Sequence, residues 1–207
     1  YFYSSSVQIS LVLSPTTTDG SKIIQGPVNN YLASANTSIA AFNQNIYSQV
    51  IKSGLSTREG VVAAATTLVS EFYNQTGYKL PYELLPSGKY SGYGMDPSWG
   101  TNTGNTTYPL NGLDCSGFVS WAIHNGGFAY EVKSARGWGN AGIKRSWSKG
   151  VTDSSARPGD LIFNAPASSN GTTGHIRMII AVNNDGYVVA EASSRKNGVS
   201  INNISFT

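Results

Sequence analysis

Cysteine is nearly missing from this chain: one stands at position 115 in 207 residues, so no disulfide can form within it. Histidine is almost as scarce. The two present, His124 and His175, lack any spacing with Cys115 that would make a zinc site. Charge is thin as well. Charged residues are 12% of the chain, and the net charge of +3 comes from scattered Lys and Arg with no basic stripe. This excludes a nucleic-acid partner and leaves at most a weak attraction to an anionic surface. No apolar run approaches the roughly 20 residues that a membrane helix needs. The stretch VQISLVL is too short, and no basic segment precedes it. Because the chain begins with Tyr1, removal of an upstream signal or membrane anchor is an expectation.

What is present points to a folded domain. Hydrophobic residues make up 40% of the chain, enough for a real core, and the length fits one domain with a short appendage. Gly, Ser, Thr and Asn are abundant beside 12 Tyr and 4 Trp, the mixture of a loop-rich, β-containing, exported protein.

Residues 1–29 mix Ser, Thr and Gly with a Gly26-Pro27 step and read as an extended arm or linker. From Asn30 the apolar residues Leu32, Ala35, Ile39, Phe42, Ile46 and Val50 recur at steps of three and four, which predicts an amphipathic helix ending near Gly54. That segment, 30–55, is either a stalk or part of the domain that follows. A second helix is expected in STREGVVAAATTLVSEFYNQTG, with Ser56 and Glu59 at capping-box spacing and Gly77 after the last turn. Residues 77–112 have no usable period and read as a long functional loop. A helix starts at Cys115, and a further Gly/Ser/Trp loop follows it. DLIFNA, HIRMIIAV, GYVVAEAS and VSINNISF then read as strands, with turns at Asn183 to Gly186 and Lys196 to Gly198. Helices come first and an antiparallel sheet last, an α+β layout.

Asp114 is a good N-cap, and the apolar residues Phe118, Val119, Ala122 and Ile123 continue a helix that places Cys115 in its first turn. The positive end of the helix dipole favours a thiolate there, below the usual thiol pKa of about 8.5. A small buried hydrophobe is the bland alternative. A nucleophilic thiol needs a base. His124 lies nine residues along the same helix, out of reach of the sulfur, whereas His175 opens a strand and can approach across a cleft. A third group should orient the imidazole, and Glu191 on the next strand is the nearest suitable acid, with Ser193 and Asn197 as fallbacks. Register decides. A hairpin centred on Asn183 sets His175 directly opposite Glu191. A tight turn at Asn184-Asp185-Gly186 instead sets Glu191 against Ile179, about 13 Å away along the strand at roughly 3.3 Å per residue.

In that order and spacing, DCSGF at a helix start, RPGDLIF and GHIRMII resemble the NlpC/P60 family of cell-wall cysteine peptidases over residues 56–207. The resemblance implies a papain-like α+β core, with helices packed on a C-terminal antiparallel sheet and the nucleophilic Cys at a helix N-terminus. It also implies hydrolysis of an amide bond in peptidoglycan stem peptides, commonly the bond from D-γ-glutamate to the diamino acid. Cys115 then corresponds to the nucleophile and His175 to the base. Many relatives carry a third residue, His, about twelve positions after the base; here that position is Tyr187, and Glu191 looks closer to the variant with an acidic third residue and to CHAP-type amidases and endopeptidases. Tyr82 is similar to the family's Tyr ahead of the Cys motif, although the Trp-Gly-Gly that often follows is missing. Tyr82, Asp114 and Ser116 are therefore candidate stem-peptide binders.

Arg177, where relatives often have Gly, shares a strand face with His175; it reads as a solvated strand arginine, or as one that pairs with a substrate carboxylate or with Glu191. Arg157 to Leu161, RPGDL, reads as architectural. Gly137 to Gly142 match G-x-G-x-x-G by letter, but no strand precedes them and no helix follows. Trp138 and Trp147 read as core cover. No cofactor or metal is implied, the partner is the stem peptide, and an extracellular monomer is expected. A CHAP-like amidase or cross-bridge endopeptidase and a non-catalytic wall-binding module are the alternatives.

Overall fold

A computed structural model describes residues 6–11, 39–77, 79–80, 82, 113–128, 148–164 and 174–206. The expected helix start at Asn30, most of the loop before Leu113, the Gly137–Gly142 motif, Trp138 and Trp147 lie outside the described residues.

Helix α1 (Ile39–Ser53) buries Ile46 and Val50, one turn apart, while Asn45, Ser48 and Gln49 face solvent. Gly54 ends it with φ +112°. Helix α2 (Arg58–Thr76) buries Val61, Ala64, Ala65, Leu68 and Phe72, the spacing of one helical face. Its N-cap is Thr57, whose hydroxyl accepts from the Gly60 amide at 3.1 Å, and not Ser56. Ser56 takes the left-handed conformation, and its hydroxyl donates instead to the Gly127 carbonyl at 3.0 Å. The Ser56 amide also donates to the Gly126 carbonyl, so this residue ties the start of α2 to the end of the third helix. At the other end Gly77 caps α2 in the left-handed conformation, as its position predicts.

Helix α3 (Cys115–Asn125) has every residue but His124 buried, which makes it the central element of the core. Its end lies backbone to backbone against α2. A Cβ on Gly126 would sit 2.7 Å from the Val61 Cα, so only glycine permits that approach.

Strands β1 (Ser6–Leu11), β2 (Ser148–Val151), β3 (Leu161–Asn164), β4 (His175–Val182), β5 (Gly186–Ser193) and β6 (Gly198–Ser205) form one antiparallel sheet in the order β2-β1-β3-β4-β5-β6. Two of these correct the sequence reading. Ser6–Leu11, inside the segment expected to be an arm, pairs with β2 and β3 in the sheet. Ser148–Val151, expected to be loop, is the strand beyond it. The fold is α+β, with the helices on one sheet face.

Side chains alternate across the sheet. Leu161, Phe163, Ile176, Met178, Ala190, Ala192 and Val199 join Phe118, Trp121, Leu68 and Phe72 in the main core. Ile162, Ile179, Tyr187 and Val189 face the other way into a smaller cluster with Ile204 and Phe206. Between Thr152 and Leu161 the RPGD turn anchors the sheet to α2. The Asp160 carboxylate, fully buried, accepts from Arg58 Nη1 at 2.5 Å and from the Arg157 amide at 2.8 Å. Gly159, at φ +89°, makes room for the Arg58 stem, since a Cβ there would lie 2.4 Å from the Arg58 Cγ. RPGD is thus architectural, and the architecture is a cross-link through a buried ion pair.

Candidate active site

The nucleophile candidate is set by the local chemistry of its helix start. Asp114 is the N-cap of α3: its Oδ1 accepts from the Gly117 amide at 2.6 Å and from the Ser116 hydroxyl at 3.1 Å. Both side chains are buried, so Asp114 and Ser116 are committed to shaping the turn that carries Cys115. The next residue back, Leu113, bridges in parallel to Tyr82, which brings the Tyr82 backbone beside this turn.

Cys115 is 3% exposed. Amides of Ile176, Ser116 and Cys115 itself point at its sulfur and favour a thiolate, but burial and then the neighbouring Asp114 charge push the thiol up to about 12. The sequence expectation of a lowered thiol therefore fails in this state, because desolvation outweighs the helix-start amides. Burial also raises the Asp114 carboxyl, against the Gly117 and Ser116 hydrogen bonds that lower it. The Ile176 contact is informative in another way: the peptide joining His175 to Ile176 lies against the sulfur, so the start of α3 and the start of β4 meet.

His175 Nε2 and Glu191 Oε2 are 2.5 Å apart. Their alignment follows neither register expected from the turn. Near the turn Val182 pairs with Tyr187 and Ala181 with Val188; after a bulge at Ile180, Ile179 pairs with Val189 and Met178 with Ala190. Carried one residue further, this sets Glu191 against Arg177 and diagonal to His175 on the same face. Without the bulge Glu191 would oppose Met178 and point into the core. One extra residue thus turns the carboxylate toward the imidazole.

Glu191 is 3% exposed, and its environment is built from two strands. Burial alone would raise its carboxyl, but the hydrogen bond from His175, the Arg177 charge and the Asn202 amide together hold it below the usual carboxylate range. Asn202 Nδ2 donates to Oε1 at 3.0 Å and to Ser200 Oγ at 3.0 Å. Arg177 Nε lies 3.7 Å from Oε2, and its Nη2 donates to Asn164 Oδ1 at 3.2 Å. Arg177 is therefore no solvated strand cation.

The sequence reading missed Asn202 and Asn164. Asn202 had a signal, since closing β5 and β6 through the Lys196 to Gly198 turn pairs Glu191 with Ser200 and leaves Asn202 on the same face. The fallback residues stay out of the dyad: Asn197 is the left-handed residue of that turn, and Ser193 ends β5. His124 sits near the far end of α3 with its Nδ1 buried and without a hydrogen-bond partner among the described residues, and burial lowers its pKa. Among the described residues no group of three or more His, Cys, Asp and Glu could hold a metal, and no helix is long and apolar enough to cross a membrane.

A thiol at a helix start, packed against the backbone that opens a strand whose histidine is paired with a carboxylate, fits the papain-like α+β fold. Residues 102–193 match the family model described as the CHAP domain, a cell-wall hydrolase domain related to NlpC/P60. The match takes in Cys115, His175 and Glu191, and it ends with β5. It points to hydrolysis of peptidoglycan, by an amidase or an endopeptidase, and so to action at the cell wall. No curated protein and no solved structure matches the chain.

Proposed function

We propose that the chain is a cysteine endopeptidase that cleaves the D-γ-glutamyl to diamino acid bond of peptidoglycan stem peptides, with Cys115 as nucleophile, His175 as base and Glu191 as orienter. One observation carries this reading: the Cys115 sulfur lies against the His175–Ile176 peptide while His175 Nε2 is held by Glu191 at 2.5 Å. With Nε2 occupied, Nδ1 is the nitrogen that serves the thiol. As the stem peptide binds, the Cys115 proton passes to Nδ1 and the sulfur attacks the scissile carbonyl. The amide of Cys115, at the open end of α3, donates to the developing oxyanion. The imidazolium, its Nε2–H directed at Glu191, then protonates the departing amine. Water, deprotonated by the same Nδ1, cleaves the thioester and restores the thiol.

Tyr82 contacts the stem peptide beside the thiol, while Asp114 and Ser116 support the turn beneath it. Residues 56–207, joined by strand β1, make up the catalytic unit, which acts as an extracellular monomer. The CHAP match supports a second reading, an amidase or cross-bridge endopeptidase with the same three residues. Mass spectrometry of peptidoglycan fragments distinguishes the two. New N-termini on the diamino acid support the first reading; a freed lactyl carboxyl on the sugar, or cut cross-bridges, supports the second.

A further inference from the structure

We infer that Arg177 and Asn202 are positioning residues that keep Glu191 an ionised, immobile acceptor and so fix which nitrogen His175 offers to the thiol. This rests on the roles given above to Cys115 and His175, and it reaches past the matched family segment, which ends before β6.

A buried carboxyl beside a neutral imidazole has two choices. Protonated, it can donate to Nε2, which leaves the proton on Nδ1 and no lone pair for the thiol. Ionised, it can only accept, which forces the proton onto Nε2 and frees Nδ1 as a base. The charged groups facing Glu191 among the described residues are His175 and Arg177, both from β4, while β6 supplies the neutral Asn202. Arg177 supplies a guanidinium charge that, together with the hydrogen bonds from His175 and Asn202, favours the ionised carboxylate. Its guanidinium is anchored at the far side by Asn164 on β3, and 19% exposure leaves it little solvent. Its buried Nε has no hydrogen-bond acceptor among the described residues, so its tie to Glu191 at 3.7 Å is one of charge.

Asn202 does the complementary work. It holds Oε1 while His175 holds Oε2, so the carboxylate cannot rotate about its last bond without breaking one of them. The Asn202 amide is itself fixed by Ser200 Oγ. Groups from β4 and β6 thus hold one carboxylate against the imidazole.

Because the chain has just two histidines, nitrogen-15 labelling of His gives a two-imidazole spectrum, and His124→Asn assigns it. In the unsubstituted chain the neutral His175 ring should be a single tautomer with hydrogen on Nε2. Arg177→Gln and Asn202→Ala should each yield a tautomer mixture. In hydrolysis of soluble stem peptides each should lower kcat on the order of tenfold with KM nearly unchanged. The acidic limb of the Arg177→Gln profile should move to higher pH, and Arg177→Lys should restore most of the rate. An unchanged tautomer and acidic limb in both variants would overturn the inference. So would a raised KM at constant kcat in Arg177→Gln, which would make that arginine a substrate contact. If the chain hydrolyses no stem peptide, the proposed activity fails while the tautomer spectra still decide this inference.

Discussion

Raising the pH should destabilise this protein through its one thiol. An unfolded cysteine ionises near 8.5, whereas burial and the Asp114 charge push the folded Cys115 thiol up to about 12. Its folded pKa is the higher one, so its contribution to stability is complete below the unfolded value and is lost as pH climbs toward the folded value. Within that window each pH unit costs about 1.4 kcal/mol. Between pH 8.5 and 10.5 the thiol alone should remove about 2.5 kcal/mol, a large share of the roughly 5–15 kcal/mol typical of a domain. The assay is urea unfolding followed by tryptophan fluorescence at steps across that range, for the unsubstituted chain and Cys115→Ala. The difference between the two curves cancels Lys and Tyr titration, which both proteins share. Parallel curves would refute the reasoning and mean that the helix-start amides, not burial, set the thiol.

The remaining predictions concern the scaffold and the dyad. Arg58→Ala strands the fully buried Asp160 carboxylate and should cost about 3 kcal/mol in denaturant unfolding. Gly126→Ala drives a methyl group into the Val61 backbone and should cost about 2 kcal/mol, read as a lowered Tm. Glu191 is held below the usual carboxylate range, so the stability it lends is present above that range and lost as pH falls through its folded pKa. Glu191→Gln should flatten this acid limb in unfolding experiments, and it should lower kcat far more than it changes KM.

Much of the site is written in local sequence, and what escapes is set by tertiary structure. Asp-Cys-Ser-Gly announces a capped helix start with the thiol in its first turn, because capping needs only neighbours along the chain. The same rule misassigned the cap of α2: Ser56 has the right type and spacing, but its hydroxyl is drawn to the Gly127 carbonyl 71 residues away. Strand alternation correctly placed His175 and Glu191 on one face, yet both expected registers were wrong. The bulge at Ile180 lies in an unbroken apolar run with no Gly or Pro to mark it.

The arm expected at the N-terminus shows the opposite failure. Val7-Gln8-Ile9-Ser10-Leu11 alternates with period two, but its Ser, Thr and Gly surroundings concealed a strand whose partners lie more than a hundred residues on. The thiol was misjudged for a similar reason: a helix start is visible in the sequence, whereas the burial that outweighs it comes from β4 and the core.

The central claim is that Cys115 attacks the substrate. Its most direct measurement is amine release from purified peptidoglycan by the unsubstituted chain, Cys115→Ala and His175→Ala in parallel. Release by the unsubstituted chain alone is the expected result. Release that persists in Cys115→Ala would contradict it.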